Sequence, residues 1–171
     1  GDNGEIRGSQ QTPGERRFRE ENMRDGTLCC VIKNNKILLM VKKRGLGKGK
    51  LTAPGGRLED GETEEECAVR EVEEEVCITP LGVRKVGVME FSNGGDGMKV
   101  HIFESHDFTG DINETDEADP LWADVDKLPF EKMWQDYRLW LPLLLEGKRF
   151  EGRCLYTRDW NHIIDYHMEF D

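Results

Sequence analysis

Residues 56–78 read GRLEDGETEEECAVREVEEEVCI. A glycine turn precedes Glu62, and a helical run follows in which Glu71, Glu74 and Glu75 are three and four residues apart. This spacing places side chains on one face of a helix. Three carboxylates on one face repel one another, so we expect a positive charge between them. Mg²⁺ is the obvious candidate, with Mn²⁺ as a substitute, because hard divalent cations prefer carboxylate oxygens.

The sequence also predicts where this helix begins and ends. Thr63 followed by Glu66 is a capping-box pattern, so the helix should start near Thr63 and run to about Val76. Pro80 prevents its continuation.

The rest of the chain predicts strands and a second helix. The Asn34-Asn35 turn between two apolar, β-prone runs indicates a hairpin. The order of elements excludes an all-α bundle and a regular βαβ array. We expect strands at 27–32, 36–43, 82–91, 98–106, 121–125, 149–157 and 162–170, and a helix at 133–147.

Length, charge and cysteine content limit the class of protein. With 171 residues and a net charge of −11, we expect a single domain over 25–171 that does not bind a nucleic-acid duplex. We expect residues 1–24 to be a flexible extension, with a short helix at 15–21. The five cysteines form no CxxC pair, and no apolar run is long enough for a membrane span. These features predict a cytoplasmic protein with reduced thiols and no membrane association.

The spacing in residues 56–78 resembles the Nudix box, Gly-x5-Glu-x7-Arg-Glu-U-x-Glu-Glu-x-Gly-U, where U is a bulky aliphatic residue. Cys77 stands where the family has glycine. It should give a strained cap or a different helix exit, because a left-handed cysteine costs roughly 1 kcal/mol. The resemblance implies a mixed α/β fold, the Nudix α/β/α sandwich with a central mixed sheet, and hydrolysis of nucleoside diphosphates linked to another group. The matching positions are Gly56, Glu62, Arg70, Glu71, Val72, Glu74, Glu75 and Ile78.

Outside the box, the chain is similar to one branch of the family, the oxidised purine nucleoside triphosphatases that act on 8-oxo-dGTP. This similarity covers about residues 27–170. It implies Mg²⁺-dependent hydrolysis to nucleoside monophosphate and pyrophosphate, and nucleotide-pool sanitation linked to DNA repair. The segments that carry it are KKRGLGKGK (42–50), KVHIF (99–103), WADVDKLPFEKMW (122–134) and WLPLLLEGKRFEG (140–152).

The resemblance assigns site residues. Glu71, Glu74 and Glu75 would be metal ligands and catalytic carboxylates, joined by Glu117 and the Gly55 carbonyl; Glu71, Glu74 and Glu117 are all open as the general base. Arg70 would bridge Glu62 or orient a glutamate, and a phosphate clamp is its alternative role. The residues expected to line the base pocket are Lys42, Leu46, Thr52, Phe91, Trp134, Asp136 and Tyr137.

Two departures keep the substrate open. The branch has asparagine at the position of Thr52 and a second aspartate at the position of Tyr137. An aspartate pair can share a proton, which Asp136 beside Tyr137 cannot do in the same way, so we expect a different base-edge pattern. The alternatives are another Nudix substrate, such as ADP-ribose, a dinucleoside polyphosphate or a capped RNA end, and a non-catalytic nucleotide-binding module. We expect a monomer in every case.

Overall fold

The structure of the protein is a computed structural model, which describes residues 4–7 and 23–171. The strands are β1 (Gly4–Arg7), β2 (Met23–Lys33), β3 (Lys36–Lys42), β4 (Leu51–Thr52), β5 (Gly55–Arg57), β6 (Thr79–Leu81), β7 (Arg84–Ser92), β8 (Gly97–Ser105), β9 (Asp107–Thr109), β10 (Ala118–Asp124), β11 (Phe150–Tyr156) and β12 (Ile163–Phe170). The helices are α1 (Glu64–Val76) and α2 (Tyr137–Leu145), with a 3₁₀ turn at Phe130–Lys132.

The chain divides into two compact units. The first contains the described residues up to Gly26 together with 86–101 and 135–171, and the second contains 27–85 and 102–134. The prediction of a single domain over 25–171 stays a prediction.

The first unit contains a mixed sheet. β11 pairs in parallel with β7 and antiparallel with β12, and β12 pairs antiparallel with β1. The ring of Trp140 on α2 stacks on that of Phe150 on β11, with centroids 5.9 Å apart. Gly4–Arg7 therefore forms a strand within the segment that the sequence predicts as a flexible extension. The helix predicted at 15–21 lies outside the described residues.

The second unit is built on an antiparallel hairpin. β2 and β3 are joined by Asn34 and Asn35, whose φ angles of 55° and 62° are left-handed, as a two-residue hairpin turn requires. β10 and β4 also pair with β3. The predicted hairpin is confirmed, but β10 begins at Ala118, three residues before its predicted start, because the chain there pairs with Lys42.

Helix α1 packs against this antiparallel sheet. Ala68, Val72 and Val76 recur every four residues and are fully buried, and each valine contributes about 1.5–3 kcal/mol when it leaves water. They belong to a cluster with Cys29, Val31, Leu38, Met40, Ile78, Phe103 and Ala118. This apolar face leaves the acidic residues of α1 on its other faces.

The second helix is shorter than predicted. The periodicity predicts residues 133–147, whereas α2 covers Tyr137–Leu145. Met133 has extended backbone angles and forms a parallel bridge with Leu51. A backbone that pairs with a strand cannot at the same time be helical, so residues 133–136 precede the helix.

Candidate active site

Helix α1 begins with a capping box. Thr63 accepts a hydrogen bond from the N–H of Glu66 at 3.1 Å, and the Glu66 carboxylate accepts one from the N–H of Thr63 at 3.2 Å. These bonds satisfy two of the backbone donors that a helix start leaves open. The predicted limits near Thr63 and Val76 are confirmed.

Arg70 on α1 binds several carboxylates at once. Its Nε and Nη2 donate to the two oxygens of Glu62 at 2.6 and 3.0 Å. Its Nη1 donates to Glu71 at 2.7 Å and to Glu74 at 3.2 Å. The prediction that Arg70 bridges Glu62 and orients a glutamate of the cluster is confirmed, and its catalytic role stays a prediction.

These contacts stabilise the ionised form of the Glu62 carboxylate. Hydrogen bonding to Arg70 lowers the pKa of Glu62 to about 2, and the same contact raises the pKa of Arg70. A contact with two parallel hydrogen bonds has a defined orientation as well as strength. It therefore ties the loop before α1 to the middle of the helix.

Two glycines bring the chain close to the carboxylates of Glu71 and Glu75. The N–H of Gly55 donates to Oε1 of Glu75 at 2.9 Å. A Cβ on Gly56 would overlap the carboxyl group of Glu71, and one on Gly55 would overlap the carbonyl oxygen of Thr27. Gly55 therefore has no room for a side chain against the backbone of Thr27, and a side chain at position 56 would displace the Glu71 carboxylate.

The surroundings of Glu71 and Glu75 disfavour the ionised form of both carboxyl groups. Burial raises the pKa of Glu75, and the charges of Glu71 and Glu117 raise it further. Burial also raises the pKa of Glu71, although the hydrogen bond from Arg70 opposes this. Both groups are therefore driven to take up a proton or to bind a cation.

The loop that carries Glu117 is held to the end of α1. The hydroxyl of Thr115 donates to the carbonyl of Glu75 at 2.8 Å and accepts from the N–H of Glu117 at 3.2 Å. The N–H of Asn113 donates to the carbonyl of Val76 at 3.1 Å. These bonds satisfy carbonyls that the helix end leaves open, and they bring Glu117 to the carboxylate cluster.

The oxygens of this cluster are engaged by arginine in the structure. Arg70 holds oxygens of Glu71 and Glu74, and Arg44 donates to Glu117 at 3.1 Å. Across residues 4–7 and 23–171, no three His, Cys, Asp or Glu side chains are grouped so that they could hold a metal ion. The predicted ligand set stays a prediction: Gly55, Glu71, Glu74, Glu75 and Glu117.

The glycine loop between β3 and β4 has a defined turn conformation. Gly45, Gly47 and Gly49 have φ angles of 76°, 86° and 87°, a backbone conformation that residues other than glycine rarely adopt. The N–H of Gly49 donates to the carbonyl of Lys42 at 2.8 Å, and that of Lys50 to the carbonyl of Gly47 at 2.9 Å. The loop is therefore turned by local hydrogen bonds.

Trp134 packs against this loop. A Cβ on Gly47 would lie 2.9 Å from Cζ2 of Trp134, and the ammonium of Lys50 lies 5.2 Å from the centroid of the Trp134 ring. The bridge between Met133 and Leu51 fixes this placement. Trp134 is thus positioned by strand pairing rather than by a helix.

The other predicted pocket residues of the second unit are Lys42, Leu46 and Thr52. Lys42 ends β3, and its charge lowers the pKa of Glu75. Leu46 is 58% exposed. The Thr52 hydroxyl donates to the carbonyl of Ala53 at 3.0 Å. Their contacts with a base stay predictions.

In the first unit, Asp136 lies at the centre of a buried hydrogen-bond cluster. The hydroxyl of Tyr156 donates to Oδ1 at 2.6 Å, and the indole N–H of Trp140 donates to Oδ2 at 2.8 Å. The N–H of Asp136 donates to the same Tyr156 hydroxyl at 3.0 Å. Burial raises the pKa of Asp136, and both donors oppose this rise.

Tyr137 and Phe91 lie among aromatic rings of the same unit. Tyr137 is buried, and its ring centroid is 4.6 Å from that of Trp140. Phe91 packs edge-on against Tyr156 at 6.3 Å. The predicted pocket residues of this unit are therefore gathered around Asp136, but a role in base binding stays a prediction.

Sequence reasoning missed Tyr156 and Thr115. Tyr156 lies in a strand 20 residues after Asp136, and nothing in the local pattern connects the two. The Thr115 position carried a weak signal, since a threonine two residues before an acidic residue in a loop often bonds to the backbone.

Comparison with known proteins gives the following relatives. A sequence profile described as the NUDIX domain matches residues 23–144. The oxidized purine nucleoside triphosphate hydrolase of Danio rerio is 44% identical over 128 residues, which are 74% of this chain and 82% of that protein. The protein of that name from Mus musculus is 37% identical over 144 residues, which are 83% and 92% of the two chains.

Solved structures show the same fold. The MutT protein of Bacillus halodurans superimposes with a TM-score of 0.76 at 24% identity, over 85% of this chain and 97% of that one. The chain therefore has a mixed α/β fold with a central mixed sheet, as the sequence predicts. Within residues 4–7 and 23–171, no helix has the length and apolar character needed to cross a membrane.

Proposed function

Since the chain belongs to the Nudix hydrolase family, we propose that it hydrolyses oxidised purine nucleoside triphosphates to nucleoside monophosphate and pyrophosphate. The observation that carries this proposal is the buried carboxylate of Glu75 beside the half-buried carboxylate of Glu71, both in contact with the glycine pair of β5. Two relatives that carry this activity in their names, and that align over most of their own length, support the substrate class.

The donor chemistry of the predicted ligands suits a hard divalent cation, although the described residues contain no side chains already grouped as a metal site. We propose that this cation is Mg²⁺, with Mn²⁺ as a substitute. The donors are carboxylate oxygens, which hard divalent cations prefer. Burial and mutual repulsion raise the pKa values of Glu71 and Glu75, so a nearby cation would stabilise their ionised forms. Such an ion, when bound, neutralises phosphate charge and lowers the pKa of a bound water. The residues that would hold it are Glu71, Glu74, Glu75, Glu117 and the Gly55 carbonyl.

The side chains around these carboxylates hold them for the reaction. Arg70 orients Glu71, and the N–H of Gly55 orients Glu75, before substrate binds. A carboxylate of the cluster takes the proton from the attacking water. Glu71, Glu74 and Glu117 are the candidates for this general base.

Base recognition is proposed for residues that the family resemblance assigns. Trp134 offers an aromatic face for stacking, and Asp136 offers hydrogen-bond acceptors. The other proposed contacts are Lys42, Leu46, Thr52, Phe91 and Tyr137. We further propose a cytoplasmic protein, since all five cysteines lie within the described residues and are free thiols. We also propose that it is a monomer.

A substrate panel tests the proposal. The protein is incubated with Mg²⁺ and, in separate reactions, with 8-oxo-dGTP, dGTP, ADP-ribose, a dinucleoside polyphosphate and a capped RNA end, and the products are quantified by ion-exchange chromatography. We expect 8-oxo-dGTP to be cleaved to monophosphate and pyrophosphate, with loss of activity in EDTA. Equal turnover of 8-oxo-dGTP and dGTP would contradict the sanitising role. Preference for ADP-ribose or a capped end would assign the site to another Nudix substrate.

A further inference from the structure

The partner of Asp136 is a tyrosine that the family resemblance did not assign. Tyr156 both accepts from the N–H of Asp136 and donates to its Oδ1, at 3.0 and 2.6 Å. The neighbour in sequence, Tyr137, packs on the ring of Trp140 instead. Asp136 is therefore paired with a hydroxyl from β11, brought to it by tertiary structure.

The Tyr156 ring is held in place from more than one side. Its centroid lies 6.3 Å from that of Phe91 and 5.6 Å from that of Trp160. Trp160 has a left-handed φ of 64°, which is rare for a bulky residue and is found where the surroundings dictate the backbone. The direction of the Tyr156 hydroxyl is thus set by packing.

Two donors leave Asp136 as an acceptor. Tyr156 donates to Oδ1, and Trp140 donates to Oδ2. An ionised carboxylate has about four lone-pair positions, more than these two donors occupy. Donors aimed at both oxygens favour the ionised form, which accepts hydrogen bonds and cannot donate them.

We propose that Tyr156 is a positioning residue that keeps the Asp136 carboxylate an acceptor, and that the pair selects purines with an N–H at N1. This inference rests on the proposed function and on base contact by Asp136. A 2-amino-6-oxopurine carries hydrogen at N1 and on the 2-amino group, whereas a 6-aminopurine has a lone pair at N1. A carboxylate that only accepts binds the first edge and repels the second.

The ionisable surroundings of Asp136 are consistent with this assignment. Tyr156 is the titratable group that donates to it, and burial raises the pKa of Tyr156, with the charge of Asp136 adding to the rise. The proton of this pair therefore stays on the tyrosine. The thiol of Cys154 also raises the pKa of Tyr156. Trp140, the other donor, does not titrate.

The test compares Tyr156→Phe with the unmodified protein on 8-oxo-dGTP and 8-oxo-dATP, which share the C8 oxidation and differ at the N1 edge. We expect Tyr156→Phe to raise KM for 8-oxo-dGTP about three- to tenfold, the value of one hydrogen bond. KM for 8-oxo-dATP should stay constant or fall, and kcat should be little changed. Tyr166→Phe, on the neighbouring strand and outside the cluster, is the matched control and should leave both KM values unchanged.

The outcomes separate the two proposals. If the unmodified protein cleaves neither nucleotide, the proposed function fails and this assignment with it. If it cleaves 8-oxo-dGTP and folded Tyr156→Phe keeps the original ratio of KM values, only the role of Tyr156 is overturned. An equal change for both nucleotides indicates a merely structural role and also overturns it.

A measurement on the unmodified protein covers the case in which Tyr156→Phe does not fold. Protonation of Asp136 turns it into a donor, so KM for 8-oxo-dGTP should rise relative to that for 8-oxo-dATP as the pH is lowered through the range in which the protein stays folded. A ratio of KM values that is constant over this range overturns the proposal.

Discussion

The carboxylates around Arg70 and the carboxylate of Asp136 are stabilised in opposite ways. In the first group, one guanidinium serves Glu62, Glu71 and Glu74, while the buried Glu75 receives a single backbone N–H and the repulsion of its neighbours. In the second, the buried carboxylate of Asp136 accepts hydrogen bonds from a hydroxyl and an indole N–H. Neither of these contacts brings a like charge to it.

This difference separates two functions of buried acids. Excess negative charge creates a demand for a cation, which suits binding and hydrolysis of a polyphosphate. Neutral donors around one acid fix its orientation and its role as an acceptor, which suits recognition of a base.

The largest effect is expected for Glu75→Gln. The amide keeps an acceptor for the Gly55 N–H but removes the charge, so kcat on 8-oxo-dGTP should fall at least about 10²–10³-fold, the loss typical of one removed electrostatic contact in an active site. The melting temperature should stay the same or rise, because a buried charge is removed. Glu65→Gln, on the exposed side of the first turn of α1, is the control. Retained activity would break the metal-carboxylate mechanism.

Arg70→Lys should act on both activity and stability. An ammonium cannot reproduce the two parallel bonds to Glu62, so the free energy of unfolding in urea should fall by about 1.5–3 kcal/mol. Activity should also fall, because Glu71 loses its orienting donor. Arg138→Lys, on the exposed part of α2, provides a comparison outside the cluster. An unchanged unfolding midpoint would mean that Arg70 is not the organising residue of this group.

The two groups should respond to pH with opposite sign. The pKa of Glu62 is lowered to about 2, so its stabilisation is present above its unfolded pKa of about 4.3 and is lost as the pH falls towards the folded value. The pKa of Asp136 is raised, so its contribution is present below about 3.9 and is lost as the pH rises through the folded value.

Urea unfolding of Glu62→Gln and Asp136→Asn across pH measures this difference. Glu62→Gln should flatten the loss of stability on acidification, and Asp136→Asn should flatten the loss on raising the pH. If both variants changed the pH dependence of stability in the same direction, the two groups of carboxylates would not differ in the way proposed.

The smallest effect is expected for Cys77→Gly at the end of α1. Cys77 has a φ of 71° and donates its N–H to the carbonyl of Glu73 at 3.1 Å, which confirms a left-handed cap. Glycine adopts this conformation without the side-chain penalty, so the variant should be more stable by about 0.5–1 kcal/mol, with unchanged kcat. A decrease in melting temperature would show that the thiol makes a compensating contact.

Local elements were predictable because their signals are local. The capping box at Thr63, the Asn34-Asn35 turn and the spacing of Ala68, Val72 and Val76 each act within a few residues. The limits of α2 and β10 were not, because pairing with residues distant in sequence overrides periodicity there. The short strand β6 paired with β9 also lacked a local pattern.

The candidate site divides in the same manner. The carboxylate face of α1 could be predicted from residues 62–75, since one helix carries most of it. The surroundings of Asp136 could not, since Tyr156 reaches it from another strand.

By itself, the sequence determined the family, the helix with its acidic face and the reaction class, because one helix brings Arg70, Glu71, Glu74 and Glu75 together through its own geometry. Only the tertiary structure decided which carboxylates lack a compensating charge and which are stabilised by hydrogen-bond donors. Burial of Glu75, the clamp of Thr115 on the end of α1 and the Tyr156–Asp136 pair depend on contacts between segments that are 20 or more residues apart. Burial and hydrogen bonding set the charge state of an acid, and neither is fixed until the chain has folded.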